Sequence, residues 1–211
     1  MMKILIADDH AIVRQGLKQL IADETDMGLA GEAESAIEVL RFVREKSCDV
    51  IVLDITMPGG RSGLDLLPEI KTLLPTAKVL ILSMHAEEQF AVRALKSGAS
   101  GYITKQSAPT ELVTAIRKVS GGGKYISQSI AEKLAFSFDA NHANQPHERL
   151  SDREFQVLRL IGAGRTLREI ADELVISEKT VGTYRLRILE KMQMTRTAEL
   201  IRYAVRHDLS D

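Results

Sequence analysis

The chain reads as an α/β domain built on a doubly wound, five-stranded parallel sheet, followed by a small all-α domain. Three observations predict this. Apolar runs at residues 4–7, 50–53 and 79–82, with weaker ones at 29–31 and 101–104, alternate with amphipathic stretches. A polar, Pro- and Asn-containing stretch then interrupts the pattern. Beyond residue 150 every periodic segment is helical and short.

The helices of the first part are expected over 11–22, 36–45, 64–74, 87–97 and 110–120. Their apolar residues recur at helical spacing, as Ile12, Leu17, Leu20 and Ile21 do in the first, and Leu112, Val113, Ile116 and Val119 in the last. Strand-helix alternation of this kind makes right-handed crossovers and a parallel sheet. Pro75 and Gly98 punctuate helix ends. Gly121-Gly122-Gly123 breaks the fifth helix, and one further short helix is expected over 129–136. Residues 139–147 lack branched apolar side chains and read as a flexible linker, with His142 and His147 as solvated linker histidines. Ser151 with Glu154 forms a capping box ahead of Val157, Leu158, Leu160 and Ile161, and Gly162-Ala163-Gly164 ends that helix. A second helix starts near Thr166 and carries Ile170, Ala171 and Leu174. A turn at Val175-Ile176 leads to Ser177, the cap of a third helix reaching about Met192, and a fourth covers 197–207. The expected division is 1–121, a linker with a short helix over 122–147, and 148–211.

Composition narrows the class. Hydrophobic residues make up 45% and charged residues 27%, which fits a soluble globular protein. No apolar stretch approaches the roughly 18 residues of a membrane span, and the start enters a strand pattern directly, so neither membrane nor secretory leader is expected. Cys48 is the only cysteine, which rules out an intrachain disulfide and fits a reducing cytoplasm; it reads as core packing. The net charge is −1, but residues 149–211 hold 12 Lys and Arg against 10 Asp and Glu, a slight basic excess that permits nucleic-acid binding without demanding it.

Chemistry concentrates at strand ends. Asp8 and Asp9 close the first strand and Asp54 closes the third. Carboxyl ends of parallel strands are where open α/β sheets place ligands. Three carboxylates gathered there repel one another unless one is protonated or a cation neutralises them. Oxygen-only ligands suit Mg²⁺, which takes one or two carboxylates, waters and a substrate phosphate. The pattern is that of a metal-assisted phosphoryl site.

Across about 115 residues this pattern resembles the bacterial response-regulator receiver domain, a flavodoxin-like fold. The resemblance implies that Asp8-Asp9 form the metal corner and that Asp54, followed by Met57-Pro58, is the phosphoacceptor. It further implies that Ser83 is the hydroxyl switch position, Tyr102 the aromatic switch position and Lys105 the invariant lysine. The loop Pro58-Gly59-Gly60-Arg61-Ser62-Gly63 departs from the family pattern by placing its glycine one residue late. In physical terms, Asp54 attacks phosphorus only if the incoming charge is masked. Mg²⁺ held by Asp9 and Asp54, by Asp8 through water and by the Thr56 carbonyl would mask it. Lys105 offers a compact cation to the phosphoryl oxygens, Ser83 offers a hydroxyl, and the product is an acyl phosphate.

Residues 150–194 resemble the helix-turn-helix of the LuxR/NarL regulators, through Leu150-Ser151-Asp152-Arg153-Glu154, Val157-Leu158, Glu169-Ile170-Ala171, Leu174 and Ile176-Ser177-Glu178-Lys179-Thr180-Val181. The third helix is expected to turn Val181, Ile188 and Met192 inward and Lys179, Gly182, Thr183, Leu186 and Arg187 toward a DNA groove. Thr180, Tyr184 and Lys191 are candidate phosphate contacts, and Arg185, Arg187 and Lys191 candidate contributors to affinity. Gly182-Thr183-Tyr184 stands where family members often carry Lys-Thr-His. The resemblance implies a phosphorylation-dependent transcription regulator rather than an enzyme. Its partners would be a sensor histidine kinase, promoter DNA and, when phosphorylated, a second copy of the chain. Two other classes use the same features: an aspartate-nucleophile phosphatase or phosphotransferase, and a ligand-sensing LuxR-type regulator. The first needs a substrate cap that is not apparent, and the second an aromatic-lined pocket, against a chain with no Trp and 4% aromatic residues.

Overall fold

The computed structural model describes residues 1–57, 61–84, 88–127, 131, 145–207 and 209. The chain forms two compact units, Met1–Asn141 and His142–Asp211. Pro58 to Gly60, residues 139–144 of the expected linker, and the expected helix over 129–136 apart from residue 131 lie outside the described residues.

In the first unit the order is β1 (Met2–Ala7), α1 (Ala11–Ala22), β2 (Met27–Ala33), α2 (Ala36–Glu45), β3 (Val50–Asp54), α3 (Gly63–Leu73), β4 (Lys78–Ser83), α4 (Glu88–Lys96), β5 (Gly101–Thr104), α5 (Ala108–Ser120) and β6 (Tyr125–Ile126). All strand pairs are parallel, in the order β2-β1-β3-β4-β5-β6. Val50, Ile51, Val52 and Leu53 are fully buried, because helices cover both faces of a parallel sheet and leave its central strand no polar side. Leu17, Ile21, Leu112, Ile116 and Val119 pack on the β1, β3, β4 and β5 side chains in one core. Cys48 belongs to the buried core too, and burial pushes its thiol up to about 12, which leaves it inert as a nucleophile at neutral pH.

The sheet has six strands, one more than the expected five. Tyr125 and Ile126 pair with Gly101 and Tyr102, and the Tyr125 amide donates to the Ser100 carbonyl at 3.1 Å. The strand is too short to carry a period of its own. Its seat depends on Gly101, where an added Cβ would stand 2.7 Å from the Tyr125 carbonyl oxygen and 2.9 Å from Leu80 Cδ1.

A second glycine governs the site. The end of β3 and the start of α3 touch through Gly63, whose amide donates to the Ile55 carbonyl at 2.8 Å. A Cβ on Gly63 would fall 2.0 Å from the Asp54 carbonyl oxygen, so the backbone itself would have to move. We expect Gly63→Ala to destabilise the first unit by about 1–3 kcal/mol, the range of overpacking in a well-filled core, as measured by urea unfolding. An unchanged midpoint would show that the β3–α3 junction relaxes freely. Ser62 caps α3 by accepting from the Asp65 amide, while Asp65 accepts from the Ser62 amide, which starts the helix just before its apolar face.

The second unit begins with a 3₁₀ turn, Pro146–Arg149, followed by α6 (Asp152–Gly162), α7 (Leu167–Glu173), α8 (Glu178–Lys191) and α9 (Thr197–Arg206). Ser151 and Thr166 each form a capping box with the glutamate three residues on, and Ser177 caps α8. Phe155, Leu158, Ile161, Ile170, Val181, Ile188, Leu200 and Ala204 form the buried centre. The turn between α7 and α8 passes through Val175 in the left-handed region, at φ 53°.

His147 corrects the expectation of a solvated linker histidine. It lies in the 3₁₀ turn, half-buried, with Nδ1 2.8 Å from the Tyr203 hydroxyl and its ring between those of Phe155, Tyr203 and His207. The apolar contacts that recruit it come from α6 and α9, distant in sequence, so the local polar composition concealed them.

Candidate functional site

The site is built where β1, β3, β4 and β5 end. The Asp8 amide donates to the Ala33 carbonyl at 3.1 Å, which ties the β1 exit to β2. The Ile55 amide donates to the Leu82 carbonyl at 3.1 Å, fixing the main chain just after Asp54 beside β4. The Lys105 amide donates to the Ser83 carbonyl at 2.7 Å, so Lys105 leaves β5 beside the end of β4. Sheet register alone thus brings residues from four strands to one corner.

There Lys105 Nζ stands 2.7 Å from Asp54 Oδ2 and 2.8 Å from Asp8 Oδ2. The Thr56 amide donates to Asp54 Oδ1 at 3.1 Å. Asp8 is fully buried, Asp54 and Ser83 nearly so, and Asp9 is half-buried. Burial drives the Asp54 carboxyl upward. The Lys105 ammonium opposes that, the Asp8 charge adds to it, and the result is about 6. Burial works against the Lys105 ammonium, but Asp54 and Asp8 outweigh it and hold its pKa above the ordinary lysine value.

The carboxylates fit a divalent cation. Ligand atoms of Asp8, Asp9, His10 and Asp54 lie within 4.8 Å of one another. Asp8 Oδ2 and Asp9 Oδ1 are buried yet accept no directed hydrogen bond; Lys105 approaches Asp8 Oδ2 as an ion pair without hydrogen-bond alignment. Buried carboxylate oxygens left this way carry a desolvation cost that a bound cation would remove.

Tyr102 is fully buried within β5, and Ser83 closes β4. Two residues that shape the corner escaped the sequence reading. His10 stands at the N-cap of α1 with Nδ1 2.7 Å from Asp9 Oδ1 and 3.2 Å from Asp8 Oδ1. Arg14, one turn later and buried, donates from Nη1 to the Asp8 carbonyl at 2.7 Å and from Nη2 to Glu34. Position next to the acid pair was the only available signal for His10. For Arg14 the signal was an arginine on the otherwise apolar face of α1.

In the second unit α8 presents Lys179, Thr183, Leu186 and Arg187 to solvent, with Val181, Ile188 and Met192 buried, as the periodicity predicts. Thr180, Gly182, Tyr184 and Arg185 are half-buried. An added Cβ at Gly182 meets nothing within 4 Å, so packing does not require that glycine. Thr183 Oγ1 donates to the Lys179 carbonyl at 3.0 Å. Arg185 Nη1 donates to Thr197 Oγ1 at 3.3 Å, which turns it toward the start of α9. Lys191 Nζ lies 2.7 Å from Glu154 Oε2, the carboxylate that also caps α6. Burial tends to raise the Glu154 carboxyl, but Lys191 and the Ser151 amide outweigh it and hold it below the usual range.

The first unit and its carboxylate–lysine corner define a receiver, and the second a helix-turn-helix unit. Residues 4–117 match the response regulator receiver domain, and residues 148–204 match the luxR family of bacterial regulatory proteins. Over 212 residues, covering 100% of this chain and 99% of the relative, the chain is 38% identical to the response regulator GacA of Pseudomonas aeruginosa. It is 37% identical to the oxygen regulatory protein NreC of Staphylococcus carnosus, over 100% of both chains. Among solved structures, RcsB from Salmonella enterica serovar Typhimurium, bound to promoter P1flhDC in the presence of the phosphomimetic BeF₃⁻, is similar with a TM-score of 0.62. It is 27% identical over 96% of this chain and 97% of that one. The chain belongs to the two-component response regulators that join a receiver domain to a LuxR-family helix-turn-helix and control transcription.

Proposed function

We propose that Asp54 accepts a phosphoryl group from a sensor histidine kinase and that the resulting acyl phosphate controls DNA binding by the helix-turn-helix. The observation that carries this reading is the Lys105 ammonium held between Asp54 and Asp8 at 2.7 and 2.8 Å in a buried corner. Asp54 uses a carboxylate oxygen to form a bond to phosphorus as the bond to the phosphohistidine nitrogen breaks and the imidazole leaves. Lys105 then exchanges its contact with Asp54 for the phosphoryl oxygens, and Ser83 supplies a hydroxyl to them. Tyr102, on the strand next to β4, serves as the aromatic switch. Asp9 and Asp54, with Asp8 through water and the Thr56 carbonyl, would hold Mg²⁺, which supplies charge neutralisation to the transferring group.

The working division is a receiver over 1–121, a linker over 122–147 and a DNA-binding domain over 148–211. Lys179, Thr183 and Arg187 face the DNA groove. Thr180, Tyr184, Arg185 and Lys191 act at its phosphate edges, the last two by exchanging Thr197 and Glu154 for phosphate. The phosphorylated protein works as a homodimer on double-stranded promoter DNA in the cytoplasm and turns over no outside substrate. The RcsB structure on promoter DNA supports the same use of this chain's second unit. No helix among the described residues is long and apolar enough to cross a membrane.

The test is intact-mass measurement after acetyl phosphate and Mg²⁺. The wild type is expected to gain one phosphoryl group and Asp54→Asn none. A gain of one group that persists in Asp54→Asn removes Asp54 as the acceptor.

A further inference from the structure

We infer that His10 is a metal ligand, and that its nitrogen biases the acidic corner toward borderline divalent transition ions such as Co²⁺ over Mg²⁺. The inference rests on the reading of Asp8, Asp9 and Asp54 as a divalent-cation site.

Three groups converge on the imidazole. His10 Nδ1 faces Asp9 Oδ1 at 2.7 Å, Asp8 Oδ1 at 3.2 Å and Lys105 Nζ at 3.5 Å. Hydrogen bonding does not account for all three contacts. An Nδ1 proton serves one carboxylate oxygen well, and an Nδ1 lone pair serves only the ammonium. A cation among these groups serves the lone pair and both carboxylates together. The spacing is that of a slightly open coordination shell. Six ligands about 2.1 Å from an ion stand about 3 Å from their neighbours and about 4.2 Å from the ligand opposite. The four ligand atoms here lie within 4.8 Å of one another, so side-chain movements of some tenths of an ångström would close them on an ion.

The side chain is also available for this role. His10 occupies the N-cap of α1, yet its side chain makes no capping hydrogen bond. Its own amide donates to Asp8 Oδ1 at 2.8 Å, which pins the backbone beside the fully buried aspartate. Asp8 Oδ2, with no directed hydrogen bond, faces into the same corner. The imidazole remains 59% exposed, at the mouth of the site where an ion would enter. Carboxylates alone favour hard ions; an imidazole nitrogen adds affinity for transition ions and little for Mg²⁺.

The experiment titrates metal-free full-length protein with Mg²⁺ and with Co²⁺ by calorimetry and records the visible absorption of bound Co²⁺. His10→Asn and Asp9→Ala are titrated in parallel. Four other histidines can take up Co²⁺, so Co²⁺ binding that survives Asp9→Ala is subtracted. In His10→Asn the preference for Co²⁺ over Mg²⁺ is expected to fall about tenfold or more. Mg²⁺ affinity should stay within about threefold, and the Co²⁺ spectrum should change. If Asp9→Ala weakens both ions while His10→Asn leaves the preference and the spectrum unchanged, His10 is no ligand and the cation site stands. A rise in affinity for both ions in His10→Asn overturns the inference as well, because His10 would then be a competing hydrogen-bond donor. If the wild type binds Mg²⁺ no better than Asp9→Ala does, the cation-site reading itself fails.

Discussion

Without metal, Asp54→Asn is expected to be more stable than the wild type at pH 7.5, and Mg²⁺ is expected to narrow the gap. The cause is the cost of ionising a carboxyl that is 1% exposed. Its pKa moves from 3.8 to about 6 in the fold, roughly two units, or ~3 kcal/mol at about 1.4 kcal/mol per unit, taken as an upper bound. The sign follows from proton uptake. As pH falls through about 6 the native protein binds a proton at Asp54, whereas the unfolded chain waits until about 3.8. Across that window the native state holds more protons, so the Asp54 contribution to stability rises as pH falls. Asparagine has no proton to take up. The difference between Asp54→Asn and wild type should therefore be largest above about pH 6 and shrink toward pH 4. Comparing the two proteins at each pH cancels the titration of groups that do not interact with Asp54. Mg²⁺ should stabilise the wild type by mass action and the variant far less. Urea unfolding of the first unit at pH 7.5 and 4.5, with and without Mg²⁺, makes the comparison. A gap that keeps its size at both pH values would show that Asp54 ionisation is not its source.

Different physical sources explain what the sequence revealed and what it hid. α1 and α2 occupy the expected spans because each carries its own apolar stripe. β3 was legible because a short run of Val, Ile and Leu bounded by Asp can bury all its side chains only in the middle of a parallel sheet. The strand ends then place Asp8, Asp9, Asp54 and Lys105 together, and register fixes that much without side-chain detail. α3 begins at Gly63, and that glycine matters because the Asp54 carbonyl lies against it, a contact no local period encodes. β6 depends in the same way on a glycine 24 residues earlier in the chain. His10 and His147 were hidden for a related reason. Neither residue announces its role locally: His147 is defined by side chains arriving from α6 and α9, and His10 by the way the acid pair before it and Lys105 turn into one corner.

Phosphorylated protein is expected to bind a paired DNA site on the order of tenfold to a hundredfold more tightly than unphosphorylated protein. Taking a two-state protein from about 1:99 to about 99:1 needs roughly 5.5 kcal/mol of differential stabilisation. The new phosphoryl contacts of Lys105 and Ser83 are the local source in the receiver. Pairing two chains adds leverage, because two helix-turn-helix units on half-sites about one duplex turn apart bind as one event. Ser83→Ala should shrink the gain without altering the affinity of unphosphorylated protein. Arg187 is exposed on α8, so Arg187→Ala should weaken both forms. If the contact is to phosphate, the slope of log affinity against log salt should become shallower by about 1; if it is to a base edge, the slope should hold while sequence preference relaxes. The measurement is binding of full-length protein to selected duplexes over a salt series, with and without beryllofluoride. Superimposed curves on every duplex would mean that the receiver does not control DNA binding, and that the Asp54 phosphoryl group acts through another partner.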